Sequence, residues 1–137
     1  MGRTESLSAM QLLLDTHTAL WWWSNAPELS PAASKSLSDP GNTVFFSAVS
    51  GYEIFQKVRL GKLNLPIPLL RDLPSQVQLE AWEMLPLGLA EAIHAAKIDH
   101  SHRDPFDRLL AAQCCTNGLT LVTTDAFFGE IGVPTLW

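Results

Sequence analysis

The sequence lacks the features that would place a chain in a membrane, outside the cell or along a polyanion. No apolar stretch approaches the roughly 18 residues of a membrane span, and the N-terminus has no apolar core of the signal-peptide kind. Its two cysteines, Cys114 and Cys115, are adjacent, so they cannot brace distant parts of a fold, and nothing has zinc-ligand spacing. The expectation is a soluble, unexported protein of a reducing cytoplasm. Cationic charge is also scarce: nine Lys plus Arg against fourteen Asp plus Glu give a net charge of -5. That balance argues against a broad basic binding surface. It does not exclude nucleic acid, because carboxylates gathered around divalent cations make the formal count look more repulsive to phosphate than the working surface is.

What is present is enough for one ordinary domain. At 137 residues and 47% hydrophobic, the chain can bury roughly two-thirds of the surface its unfolded form exposes. Met1 to Ala9, polar and without periodicity, reads as a mobile lead-in, and residues 10–137 as a single folded domain. Leu12-Leu13-Leu14 is a short apolar run of the kind found in parallel strands covered on both faces. A helix is expected through Ala19 to Trp23, and another from Pro31, behind a Ser30 cap, to Leu37. Val44 to Phe46 reads as a second strand. Ser50 and Glu53 have the spacing of a capping box opening a helix to Arg59, which Gly61 ends.

The middle of the chain is less periodic. Leu63 to Pro68 is extended, Leu69 to Leu79 weakly helical with an interruption at Pro74, Met84 to Pro86 a short strand and Ala90 to Ile98 a helix. Asp104-Pro105-Phe106-Asp107 then starts a helix to Asn117, with Asp104 as cap. Leu119 to Thr123 is a β-branched, apolar strand, and Val133 to Trp137 a last edge strand. Strands alternating with helices imply an α/β fold whose central, mainly parallel sheet is flanked by helices on both faces.

In such sheets the usable crevice lies outside the carboxyl ends of the strands. Asp15 and Asp125 directly follow strands, while Glu53 and Asp107 lie in the first turns of helices. Taken singly, each acid has a structural explanation as a cap or a first-turn charge. Taken together, the four fall at one end of the inferred sheet. Clustered carboxylates repel one another, and a cation such as Mg²⁺ makes such a cluster tolerable. A divalent ion so held polarises a phosphodiester and acidifies a water, so phosphodiester hydrolysis is the expected chemistry, through one ion or two.

Four segments carry a family resemblance. They are Leu13-Leu14-Asp15-Thr16-His17, Ser47 to Glu53 running on to Lys57 and Gly61-Lys62-Leu63, His102 to Gln113, and Thr123-Thr124-Asp125. Together they resemble a PIN domain and, more narrowly, the toxin half of VapBC toxin–antitoxin pairs. The resemblance covers nearly everything from Met10 to Trp137, with the segments in the family's order. It implies an endoribonuclease using Mg²⁺ or Mn²⁺ on an RNA substrate, a cognate antitoxin that blocks the site, and a homodimer. Asp15, Glu53 and Asp107 match the three main metal-binding acids, and Asp125 the fourth, more variable one. His17 stands where many relatives have asparagine.

Around the acids, Thr16 and Thr124 are expected to orient carboxylates or a water, and Arg103 and Arg108 to meet substrate phosphates. Arg108 has a competing explanation as a solvated helix residue. His94, His100 and His102 show no ligand spacing and read as exposed or structural. Trp21, Trp22 and Trp23 span about 200° of a helix, so at least one should approach the surface, where a dimer or antitoxin contact is favoured over RNA stacking. Two rival readings stand beside the ribonuclease. An aspartate-nucleophile phosphatase would carry a second aspartate where His17 stands. A PIN-fold binding module without activity would not need the apparently complete acid set.

Overall fold

The computed structural model describes residues 9–137. The lead-in expected over Met1 to Ala9 therefore lies, except for Ala9, outside the described residues. Five strands form one sheet: β1 (Gln11–Leu14), β2 (Thr43–Ser47), β3 (Glu83–Leu85), β4 (Thr120–Val122) and β5 (Thr135–Leu136), in the order β3-β2-β1-β4-β5. Every pairing is parallel. The described residues also form α1 (Thr16–Trp23), α2 (Pro31–Ser38), α3 (Ala48–Arg59), α4 (Ile67–Arg71), α5 (Leu73–Leu79), α6 (Leu89–Lys97), α7 (Pro105–Asn117) and α8 (Ala126–Glu130).

The uninterrupted apolar run of β1 follows from burial on both sheet faces. Leu12 and Leu14 join one core with Val44, Phe46 and Val122 of the neighbouring strands and Ala19, Ile54 and Val77 of the helices. Leu13 points the other way, into a core with Leu121, Val49, Leu110, Ala111 and Phe128. Successive side chains of a strand alternate between faces, so a strand covered twice needs apolar residues at every position. Trp22 and Trp23 join the first core through Trp82, at ring-centroid distances of 6.0 and 5.3 Å. Trp21 instead meets Trp137 edge-on at 5.7 Å, and all three tryptophans of α1 are half-buried.

Two local expectations need correction. The helix carrying Glu53 opens at Ala48, two residues before Ser50: β2 runs directly into α3, and the Ser47 hydroxyl caps it by accepting from the Val49 amide at 3.0 Å. Ser50 and Glu53 are interior helix residues, both buried, so the capping-box explanation of Glu53 is withdrawn. The weak helix over Leu69 to Leu79 is two helices, because Asp72 accepts from the Ser75 amide and restarts the chain. Pro74 sits in the first turn of α5, where a missing amide hydrogen costs no helical bond. Gly118 ends α7 at φ 65°, a left-handed conformation that glycine adopts without a Cβ penalty.

The order of strands decides where a site can form. From β1 the pairing extends to β2 on one side and β4 on the other, so the connections diverge at the carboxyl ends of β1 and β4 and leave a crevice between them. Leu110 lies in the core with Leu13 and Leu121 and is fully buried, whereas Leu79 is 77% exposed. Leu110→Ala should lower unfolding stability in urea by about 2–5 kcal/mol, and Leu79→Ala by less than about 0.5 kcal/mol. Equal losses in the two variants would contradict this division of core and surface.

Candidate active site

Asp15 immediately follows β1, and Asp125 lies three residues past the end of β4. Register brings the two segments together. Leu14 pairs with Val122, and the next rung continues with the Asp15 amide donating to the Val122 carbonyl at 3.2 Å. Thr123 thereby falls beside Asp15, and its hydroxyl donates to Asp15 Oδ2 at 2.7 Å. The same hydroxyl oxygen accepts from the Asp125 amide at 3.0 Å. One buried threonine thus fixes a carboxylate from β1 against the backbone of the second acidic segment.

Glu53, 5% exposed on α3, is near enough to Asp15 for its charge to act on that carboxyl. Its Oε2 lies 2.9 Å from Lys57 Nζ, one helical turn on. Asp107 comes from the first turn of α7, with Oδ2 at 2.9 Å from His102 Nε2. Asp125 caps α8 by accepting from the Phe127 amide at 3.0 Å. Each acid therefore has a donor of its own. Asp15, His17, Thr18, Trp21, Thr124 and Asp125 line a cleft of about 290 Å³. An apolar groove of about 310 Å³, lined by residues such as Phe46, Leu73, Val77 and Met84, contains none of the acids. Chemistry therefore selects the cleft, since only charged groups there are placed to act on a polar substrate.

The acids feel one another. Burial is the largest influence on Asp107 and pushes its carboxyl up to about 6; the His102 hydrogen bond opposes this, while the negative charges of Asp104, Asp15 and Asp125 add to it. Asp15 is also raised, chiefly by burial, with the Thr123 hydrogen bond and His17 opposing and Glu53 reinforcing the rise. All four predicted acids are accordingly linked through one electrostatic neighbourhood. Their ligand atoms are not tightly closed, however. Among the described residues, the group of three whose ligand atoms all lie within 4.8 Å of one another is His102, Asp104 and Asp107.

The surrounding residues differ from their expected roles. The Thr16 hydroxyl donates to Ser50 Oγ at 2.8 Å and ties α1 to α3, while its backbone amide hydrogen-bonds the Asp15 carboxylate. Thr124 is exposed and lines the cleft, while the carboxylate contact belongs to its neighbour Thr123. Arg108 is not positioned for phosphate. Its Nε donates to the Ala95 carbonyl at 3.1 Å, Nη1 to those of His100 and His102 at 3.2 and 3.0 Å, and Nη2 to that of Ile98. The guanidinium is spent on carbonyls at the end of α6 and in the following loop. Arg103 is exposed on that loop. Asp104 caps α7 as expected, accepting from the Phe106 amide at 2.9 Å. Cys114 is buried with its thiol pushed up to about 12 by desolvation, which suits packing and not nucleophilic attack.

Fold and site together are those of a PIN domain: the family model of that description matches residues 12–134, and the chain belongs to this family. It is 30% identical over 117 residues to Ribonuclease VapC22 of Mycobacterium tuberculosis (strain ATCC 25618 / H37Rv), the match covering 83% of this chain and 86% of that one. Its fold is similar to that in the structure of VapBC2 from Rickettsia felis bound to a DNA fragment from their promoter, at a TM-score of 0.68 and 16% identity, covering 93% of this chain and 98% of the other. DNA-bound VapBC from Salmonella typhimurium gives a TM-score of 0.67 at 21% identity, covering 93% and 97%. At such identities the structural likeness establishes the fold.

Two measurements check the site's energetics. Because the folded-state pKa of Asp107 is raised, the folded chain holds a proton that the unfolded chain has already released. Its favourable contribution is complete below about pH 4 and is lost as pH rises through about 6. In EDTA, Asp107→Asn should therefore raise stability relative to the unmodified chain by roughly 1–3 kcal/mol at pH 7 and by little at pH 4. A pH-independent difference would contradict the raised value. Arg108→Ala should lower stability by about 1.5–3 kcal/mol, because part-buried carbonyls lose charged donors; an unchanged urea midpoint would show that those bonds are unimportant.

Proposed function

We propose that the chain is a Mg²⁺-dependent endoribonuclease, the toxin of a toxin–antitoxin pair, with Asp15, Glu53, Asp107 and Asp125 holding the ion. The observation that carries this reading is the mutual electrostatic influence of these acids at the switch point of the sheet, with two of them driven toward neutrality by burial and by one another. The donor chemistry fits a hard divalent cation. Carboxylate oxygens are the ligands Mg²⁺ and Mn²⁺ prefer, and a cation relieves the repulsion that burial intensifies. When bound, the cation supplies positive charge to a phosphodiester oxygen and acidity to an attacking water.

The chain's own residues do the positioning. Thr123 holds Asp15 by Oδ2, and Asp15 lines the cleft. Lys57 takes one oxygen of Glu53 and reduces the negative charge a phosphate would meet. Arg103, on the loop before α7, is the guanidinium suited to a substrate phosphate. Support for RNA as substrate comes from the relative named as a ribonuclease, and support for an antitoxin partner from the VapBC complexes that share the fold. A homodimer belongs to the same reading. The half-buried Trp21, beside the cleft, is suited to a protein partner that covers the site.

Asp15→Asn and Asp107→Asn should each lower Mg²⁺-dependent cleavage of a susceptible RNA by at least about 100-fold with the circular dichroism spectrum retained. Full activity in either variant would remove the mechanism. Expression of the chain alone should arrest growth, with rescue by co-expression of its small antitoxin. Harmless expression of a soluble chain that cleaves RNA in vitro would dismiss the toxin role and keep the nuclease.

A further inference from the structure

We propose that His102 is a positioning residue for Asp107, clamped by a ring stack on Phe127. It engages Oδ2 of the carboxylate and leaves Oδ1 for the cation. The inference rests on the reading that Asp107 holds a divalent ion. An aspartate in the first turn of a helix ordinarily turns toward the free amides there. Asp107 does not. Its Oδ2 lies 2.9 Å from His102 Nε2, and the amides at the start of α7 are taken by Asp104, which accepts from Phe106 and Asp107 at 2.9 and 3.4 Å.

His102 is held from three sides. Its ring stacks on Phe127 with centroids 4.0 Å apart and planes 14° from parallel. Its amide donates to His100 Nδ1 at 2.9 Å, which leaves the His100 proton on Nε2, 2.9 Å from Glu130 Oε1. Its carbonyl accepts from Arg108 Nη1 at 3.0 Å. Phe127 and Glu130 both belong to α8, the helix that Asp125 caps through the Phe127 amide. One short helix therefore fixes Asp125 directly and Asp107 through an imidazole, so that the two carboxylates are placed as a unit. With a cation on Asp107 the carboxylate is ionised, and His102 Nε2–H is the donor. Groups that orient a metal ligand in this way typically tune metal affinity by 10–100-fold.

A rival role for the same atom is direct ligation, since His102, Asp104 and Asp107 have ligand atoms within 4.8 Å of one another. Three forms of the full chain separate the roles: unmodified, His102→Phe, which keeps the stack without the donor, and His102→Gln, which keeps a donor without the stack. Mn²⁺ affinity is read by electron paramagnetic resonance in the absence of RNA, beside the thermal midpoint. His102→Phe should bind Mn²⁺ about 10-fold more weakly and His102→Gln within about threefold of the unmodified chain, with midpoints that do not follow the affinity. Equal affinity in His102→Phe and the unmodified chain would overturn the proposal. So would a His102→Gln chain as weak as His102→Phe, the result expected of a ligand, or an affinity loss that tracks a lowered midpoint. An unmodified chain that binds no Mn²⁺ would overturn the metal reading itself and this inference with it. A chain that shows the predicted series but cleaves no RNA would keep the positioning role of His102 and refute the nuclease.

Discussion

Repulsion among carboxylates that the fold brings to one place is the constraint around which the rest of this molecule is arranged. Asp15 and Asp107 are pushed toward their neutral forms by burial, and each is raised further by negative neighbours. A protein that sought only stability would replace such groups with apolar ones, because like charges in a low-dielectric setting oppose folding. Their retention at the crevice of a parallel sheet accords with the proposed cation site.

The scaffold copes with this repulsion locally, by giving each acid its own donor. Thr123 serves Asp15, Lys57 serves Glu53, His102 serves Asp107 and the first-turn amide of α8 serves Asp125. These donors come from a strand end, a helix, a loop and a backbone, so no single element carries the site. Each also engages one oxygen of a carboxylate that has two, which preserves acceptor capacity for a ligand. Rigidity is supplied from outside: Arg108 gathers the carbonyls that end α6 and lead into α7, and α8 packs its Phe127 beneath His102.

The modest cationic content of the chain fits the same arrangement. Of the basic side chains near the site, Lys57 and Arg108 are committed within the protein, while Arg103 is exposed; under the proposed function, phosphate recognition would fall to the cation and to Arg103. A net charge of -5 is then compatible with an RNA substrate. On the proposed reading, the clustered acids would face a cation and would not be presented to the backbone of the nucleic acid.

The alternation of strands and helices, the doubly covered strand at Leu12 to Leu14, the caps at Ser30 and Asp104 and the placing of Asp15, Asp107 and Asp125 at strand and helix ends were legible in the sequence, because each follows from local periodicity or from chemistry within a few residues. The cap of α3 was misread, since Ser50 has the same local spacing as a true cap, and only the passage of β2 into the helix identifies Ser47. Thr123, His102 and the carbonyl-bound Arg108 were beyond local reading for another reason. Thr123 meets Asp15 through a strand register spanning 108 positions, His102 is oriented by Phe127 from a separate helix, and Arg108 finds its acceptors where α6 ends against α7. Which acids were candidates for the chemistry was written in residue type and spacing; which groups hold them in place was decided by tertiary pairing, which no local pattern encodes.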